Sequence, residues 1–370
     1  MNYVQLREMC CITMGQSPNS DSYNEEREGV PFFQGNADFG ERYPNVRTWC
    51  KEPKKMAKNG DVLISVRAPI GAINYAREIC CIGRGLAALS PKTDKVSKEF
   101  IFWVMKSRCK ELQMKGTGST FKAISKKILE EVKIPLYPLE KQIEYSLVLE
   151  KVYAIIETYK SELQKLDELI QARFVEMFGN ESNPKAWEIV NIESVADVQV
   201  GVVIKPSQYY TDAIDGIKAF RSLNVGEGFI KDDNWVYFTK EGHKRNAKSA
   251  LKENDLLIVR SGAPGTACVV TKEYEGCNAI DIIIAHPNCE KVNPYYLCTY
   301  TNMPHGKKQI NEGTGGAAQQ HFNVTKYNKL QLMLPPMKLQ DEFVTFVNQV
   351  HKSKLVIKNL LQIYKHQIQM

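Results

Sequence analysis

From Leu139 to Phe178 the chain runs 40 residues without a glycine or proline, and its apolar residues recur at helical gaps: Val148, Val152, Ile155, Tyr159, Leu163, Leu166, Ile170, Phe174 and Met177. Pro138 stands just before the run and Gly179-Asn180 just after it, as start and stop signals do. The spacing predicts one unbroken helix, roughly 60 Å long at about 1.5 Å per residue. A helix of that length cannot bury its apolar stripe in one small lobe, so it requires a partner alongside. A second run supplies one. After Pro335-Pro336, residues 338–370 place Phe343, Phe346, Val350, Ile357, Leu361, Tyr364 and Ile368 on one face. The first run holds eight acidic and five basic side chains and the second two and five, so net charges of −3 and +3 favour pairing, modestly, because exposed ion pairs are weak. The expected product is an antiparallel coiled coil. Its contact residues, and those offered to partners, are Val152, Ile155, Tyr159, Leu166, Ile170, Phe174, Phe346, Val350, Ile357 and Leu361.

What precedes each helix occurs twice. Tyr3-Val4-Gln5-Leu6 matches residues 187–192, Gly15 matches Gly201, and the stretch from Phe32 to Asn36 matches that from Phe220 to Asn224. Gly60-Asp61-Val62-Leu63-Ile64 matches Asn254-Asp255-Leu256-Leu257-Ile258, and each is followed by an aligned glycine, Gly71 and Gly265. Gly116-Thr117-Gly118 recurs as Gly313-Thr314-Gly315, Ile124-Ser125-Lys126 as Val324-Thr325-Lys326, and Ile134-Pro135 as Leu334-Pro335. A period of about 190 residues is too long for a solenoid, so each copy reads as a globular lobe plus a helix. Within a lobe the pattern is mixed: strands at 61–66, 86–89, 256–259 and 280–284, helices at 98–114 and 294–301, and polar loops at 15–23, 115–123, 205–210 and 311–323. The reading is therefore α+β: a first lobe at 1–138, a spacer helix at 139–179, a second lobe at 180–337 and a second spacer helix at 338–370. Two similar lobes separated by paired antiparallel helices make a dumbbell.

Function classes narrow from the same residues. The N-terminus lacks a signal peptide's basic start and apolar core, and no apolar run approaches a membrane span, so a cytoplasmic protein without a membrane partner is expected. Ten cysteines include no CxxC, which argues for reduced thiols and against a metal site; the His286 to Cys289 spacing has no second ligand pair. Residues 1–138 carry 22 basic and 15 acidic side chains, whereas 179–337 carry 17 of each. The first lobe is thus suited to a polyanion. Gly83-Arg84-Gly85-Leu86-Ala87-Ala88 fits the pattern GxGxxA, but Ser90-Pro91 precludes the helix that a dinucleotide site needs, and the run reads as a strand. Asn293-Pro294-Tyr295-Tyr296 resembles a base-holding methyltransferase loop but lacks its second proline and any cofactor loop, and reads as a helix start. No phosphate-binding GxxxxGK[ST], GxSxG or paired-carboxylate nuclease pattern is present, so no catalytic residue is assigned.

Lobe, helix, lobe, helix resembles the specificity subunit of type I restriction-modification enzymes. The most specific stretches are the two running from Gly60 through Arg67-Ala68-Pro69-Ile70 to Gly71 and from Asn254 through Arg260-Ser261-Gly262-Ala263-Pro264 to Gly265. The first lobe begins with few residues before Leu6, and Asn254 replaces Gly60; both depart from a strict repeat. The resemblance implies a non-catalytic reader of double-stranded DNA. Each lobe would read one half of a bipartite, asymmetric target, and the helices would space the lobes and dock two adenine-methyltransferase subunits and, through them, restriction or translocase subunits. S-adenosylmethionine, ATP and magnesium would belong to those partners, with no cofactor or metal in this chain.

Base reading calls for Arg or Lys toward guanine and Asn or Gln toward adenine, while Lys, Arg, hydroxyls and backbone amides hold phosphates. Candidates in the first lobe are Gln34, Asn36, Arg67, Thr117, Ser119 and Lys122. Those in the second are Lys205, Ser207, Tyr209, Arg221, Asn224, Arg260, Gln319, Gln320 and His321. Arg67 and Arg260 have a rival role, tying the turn after their strand to the lobe. Two other classes stay open: a coiled-coil scaffold with protein-binding lobes, and a self-sufficient DNA adenine methyltransferase, which the missing cofactor loop disfavours.

Overall fold

The computed structural model describes residues 2–92, 95–118, 122–212, 215–313 and 322–369. Their contacts gather into two units, 1–160 with 360–370, and 161–359.

In the first unit the motif Val62-Leu63-Ile64 forms the strand Val62–Ser65, every residue of which is buried. Alternation explains the unbroken apolar run. Val62 and Ile64 point into a core shared with Phe100, Ile101 and Met105 of the helix Lys98–Ser107, while Leu63 points into a second core with Phe33, Ile82 and Leu86. The strand lies in a four-stranded antiparallel sheet ordered Cys10–Met14, Leu86–Pro91, Val62–Ser65, Ile73–Tyr75. The second sheet is ordered Tyr23–Asn24, Thr48–Cys50, Val30–Phe33, Cys80–Ile82, Met56–Ala57, with Val30–Phe33 and Cys80–Ile82 parallel. A ribbon of Tyr3–Gln5 with Lys133–Pro135 joins the beginning of the lobe to its end.

The second unit repeats the plan. Its first sheet is Ala196–Val200, Ile282–Pro287, Leu256–Val259, Ala267–Val269; its second is Tyr210–Thr211, Val236–Phe238, Ile217–Phe220, Asn278–Ala279; its ribbon is Glu188–Asn191 with Gln331–Leu334. Leu256 and Ile258 face one core and Leu257 and Val259 the other, as in the first copy. Asp61 and Asp255 explain the shared motif: each buried carboxylate accepts the backbone N–H three residues earlier, Lys58 at 2.8 Å and Lys252 at 2.7 Å. Gly60 and Asn254 precede them with φ of 85° and 73°, a left-handed turn that asparagine tolerates better than most side chains.

Several boundaries differ from the sequence expectation. The helix expected at 98–114 is two, Lys98–Ser107 and Cys109–Lys115, broken at Arg108. Helix Pro294–Asn302 is followed by Pro304–Gly313, which takes the start of the loop expected at 311–323. The strand expected at 280–284 starts at Ile282, because Asp281 adopts φ 50°, and it runs to Pro287. The repeat register also shifts near its end. Ile124 N–H donates to Val66 and Phe322 N–H to Arg260, at 2.9 and 3.2 Å, so Ile124 pairs with Phe322 rather than Val324.

The long helices are Leu139–Phe178 and Met337–Gln369. Within the first unit the rings of Tyr159 and Tyr364 lie 6.0 Å apart. Within the second, Phe174 and Phe178 lie 5.6 and 5.4 Å from Phe343, and Asp167 pairs with Lys354. Positions that rise along one helix fall along the other, so the pairing is antiparallel. Ile170, Phe174, Val350 and Leu361 are buried and Val152, Ile155, Tyr159, Leu166, Phe346 and Ile357 half-buried. Val148 is an exception, 55% exposed, because Leu149 and Tyr153 take the face toward the first lobe. That contact is reinforced by Arg42, which pairs with Glu150 among the rings of Phe102, Trp103 and Tyr153.

Each long helix also carries a fully buried glutamine in its first turn that the apolar pattern does not reveal. Gln142 accepts from Ser97 N–H at 3.1 Å and donates to the carbonyls of Tyr137 and Lys95 at 2.9 and 3.1 Å. Gln340 accepts from Asn293 N–H and donates to the Pro335 carbonyl, both at 2.8 Å. Each amide thereby fastens a lobe helix start to a long helix. Gln340→Leu should strand a buried donor and acceptor and lower unfolding free energy by about 2–6 kcal/mol, at about 1–3 for each unsatisfied group. A urea titration of the full chain checks this; an unchanged midpoint would contradict it.

Candidate nucleic-acid interface

The strands of each lobe end in loops that meet at one edge, and backbone hydrogen bonds fix how. In the first lobe Gly15 N–H donates to Leu86, Gly85 N–H to Gln34, Val66 N–H to Gly85, and Ala68 N–H to Lys122, all between 2.9 and 3.1 Å. Glycines permit this approach. A Cβ on Gly15 would sit 2.1 Å from the Gly83 carbonyl oxygen, and one on Gly85 would sit 2.5 Å from that of Gln34. The GxGxxA stretch is thus a packed loop leading into the strand Leu86–Pro91. Asn293, in the other decoy, caps the helix Pro294–Asn302 by accepting from Tyr295 and Tyr296 N–H.

Gln34, Asn36, Arg67 and Arg84 line an open cleft of about 230 Å³ at this edge. Gln34 is exposed and its amide pairs with the Ser17 hydroxyl at 3.0 Å. Arg67 is exposed beside Ala123, which closes a two-way backbone pair with Thr117 at 2.9 and 3.0 Å. Thr117 and Lys122 are exposed next to it. Ser119 lies outside the described residues. Arg84 was not singled out as a contact by the sequence, since it sits inside a motif that reads as a strand approach.

The second lobe arranges its candidates differently. Lys205, at φ 42°, heads the short turn Pro206–Tyr209 and is exposed, as is Ser207. Tyr209 is half-buried, its ring 5.7 Å from Phe238, and packs on Gly242, where a Cβ would meet its own Cβ at 2.8 Å. It is a packing residue. Arg221 is half-buried and donates to the Asn234 carbonyl. Gln319, Gln320 and His321 lie outside the described residues.

Asn224 and Arg260 need correction. Asn224 is fully buried; it accepts from Arg221 N–H at 2.9 Å and donates to the Asp233 carbonyl at 2.7 Å, so its amide cannot reach a base edge. Its structural counterpart is Asp38, which accepts from Gln34 and Gly35 N–H at 2.7 and 3.2 Å, and not Asn36. Asn224→Ala should therefore lower stability by about 1–3 kcal/mol, whereas Asn36→Ala should leave the melting temperature unchanged; equal effects in thermal melts would contradict the assignment. Arg260 follows Val259, the repeat counterpart of Ser65, since Val259 pairs with Ile282 as Ser65 pairs with Leu86; Arg260 therefore occupies the place of Val66 and Ser261 that of Arg67. Arg260 is committed to the lobe through an ion pair with Asp281 and a 3.2 Å bond to the Phe322 carbonyl. The tying role falls to Arg260, while Arg67 stays exposed.

His286 is held by Asp255 at 2.6 Å and Gln199 at 2.8 Å. Among the described residues no group of three or more His, Cys, Asp or Glu side chains could hold a metal ion, and no helix is long and apolar enough to cross a membrane.

The chain is thus a lobe built twice, each copy followed by one long helix. The family model described as the type I restriction modification DNA specificity domain matches residues 1–168 and again 184–363, and the chain belongs to that family. A Methanocaldococcus jannaschii protein named as the MjaX specificity subunit of a type I restriction enzyme is 45% identical over 156 residues, 42% of this chain and 37% of that protein. The Escherichia coli EcoBI specificity subunit is 18% identical over 94% of this chain and 78% of its own length. The type I restriction-modification S subunit from M. genitalium shares the fold, with a TM-score of 0.60 at 13% identity over 100% of this chain and 95% of that one.

Proposed function

We propose that this chain reads DNA for a type I restriction-modification complex in the cytoplasm, recognising a bipartite asymmetric target without catalysing a reaction itself. Residues 1–138 and 180–337 are the two target-recognition domains, and 139–179 and 338–370 the spacer helices. Two adenine-methyltransferase subunits dock on the helices, with restriction or translocase subunits beyond them; S-adenosylmethionine, ATP and magnesium are used by those partners. The observation that carries this reading is the loop edge of a duplicated, family-matched lobe, where exposed Gln34, Arg67, Arg84 and Lys122 gather in the more basic half of the chain. Apolar side chains left uncovered on the long helices, Ile143, Leu147 and Val148 on the first and Leu355 and Val356 on the second, support docking of partner helices.

Binding of duplex DNA by the chain in complex with its methyltransferase, measured against salt, tests the reading. Affinity should fall on the order of a thousandfold between 50 and 200 mM salt if about six phosphates are neutralised. A protein-binding scaffold would show no such slope, and a self-sufficient methyltransferase would bind S-adenosylmethionine when purified alone.

A further inference from the structure

We propose that Arg84, together with Arg67, reads guanine for the first lobe, and that the corresponding place in the second lobe is closed, so that the lobes read their half-targets with different chemistry. This inference rests on the DNA-reading function above.

Both arginines are exposed at the rim of the cleft they share with Gln34, and among the described residues neither guanidinium has an ion-pair or hydrogen-bond partner. The segment beneath them is nearly bare backbone. Gly83 and Gly85 pack against Gln34, where a Cβ on either would lie 2.5 Å from one of its oxygens, and the Ser17 hydroxyl accepts Arg84 N–H at 3.3 Å. Arg84 therefore stands on a fixed turn with a free side chain. Each guanidinium offers a fork of donors matched to guanine O6 and N7, and the neighbouring Gln34 carboxamide offers the donor and acceptor that adenine N7 and N6 require.

The second lobe lacks this arrangement at the same register. Gly83 N–H donates to Phe33 and Ile280 N–H to Phe220, both at 2.8 Å, which makes Gly83 and Ile280 equivalent. Leu86 opposite Ser65 and Ile282 opposite Val259 make Leu86 and Ile282 equivalent. One lobe therefore places Arg84 and Gly85 between these points, and the other places Asp281 alone. Arg84 is an extra residue without a counterpart. Asp281, standing for Gly85, pairs with Arg260, standing for Val66. The first lobe thus presents two uncompensated cations where the second presents an ion pair already satisfied from within.

The test uses the full chain assembled with its methyltransferase subunits, and reads both the methylated-adenine motif and the affinity for the wild-type target against salt. Arg84→Ala should weaken binding roughly tenfold to a hundredfold, relax a G·C position in one half-target only, and leave the other half unchanged. Arg84→Lys keeps the charge but loses the fork, and should relax the same position while retaining the salt slope. Arg260→Ala should leave both halves of the motif intact. A uniform loss of affinity for Arg84→Ala across sequences, with the salt slope reduced by about one, would assign Arg84 to a phosphate and overturn base reading. So would an unchanged motif and affinity, or relaxation of the second half-target by Arg260→Ala. If the wild-type complex shows no motif that depends on this chain, the DNA-reading function fails instead of this assignment.

Discussion

Lengthening both long helices by seven residues at facing positions should widen the gap between the two half-targets by up to about three base pairs. Two helical turns take about seven residues, so the apolar seam formed by residues such as Ile170, Phe174 and Val350 returns close to register, and the helices gain roughly 10 Å. Duplex DNA rises about 3.4 Å per base pair, which sets the upper limit when the helices run along the duplex. Tilt or bending of the DNA would absorb part of the shift. Both helices must be lengthened together, because an insertion in one would slide Phe174 and Phe178 away from Phe343. The half-target sequences should not change, since no loop at either lobe edge is altered. Motif mapping of the paired insertion checks this, and an active complex with an unchanged gap would exclude the helices as a ruler.

A larger change is expected from exchanging a lobe. Replacing residues 1–138 with the equivalent lobe of a relative should substitute one half of the methylated motif completely and leave the other half and the gap in place. Each lobe has its own cores on both faces of its central strand, so it carries its loop geometry with it. The joint falls where Gln142 binds the lobe segment at Lys95 and Ser97 and the turn at Tyr137, so a replacement must supply the same backbone groups. Change in both halves, or in neither from an active complex, would show that readout is not modular.

The helices and the repeat were legible in the sequence because their signals are local. Period, the absence of Gly and Pro, and the pair Asp61 and Asp255 each act within a few residues. What escaped depends on contacts distant in sequence or on single-residue register. Successive strand residues face opposite sides, so placing Arg260 against Arg67 instead of Val66 reverses whether the guanidinium is tied down or free. The ungapped match of 60–71 with 254–265 already sets Arg260 level with Val66, and pairing with Leu86–Pro91 and Ile282–Pro287 agrees; what the motif does not contain is the partner that ties Arg260 down, Asp281. Residue identity pairs Asn224 with Asn36, whereas the shared task, accepting backbone N–H groups after the strand, belongs to Asp38 and Asn224. Gln142 and Gln340 look like ordinary polar positions on amphipathic helices; their partners Ser97 and Asn293 lie more than forty residues earlier. Arg84 was hidden in a glycine pattern whose cofactor meaning could be dismissed, although its side chain stayed available.

A chain that reads DNA for a methylating partner should decide where that partner acts. Sequencing methylated adenines in DNA from cells that express the chain with its methyltransferase, and from cells that express the methyltransferase alone, tests it most directly. The expected result is one motif of two different half-sequences at a fixed gap, present only with the chain. A continuous single-block motif, or the same methylation with and without the chain, would contradict it.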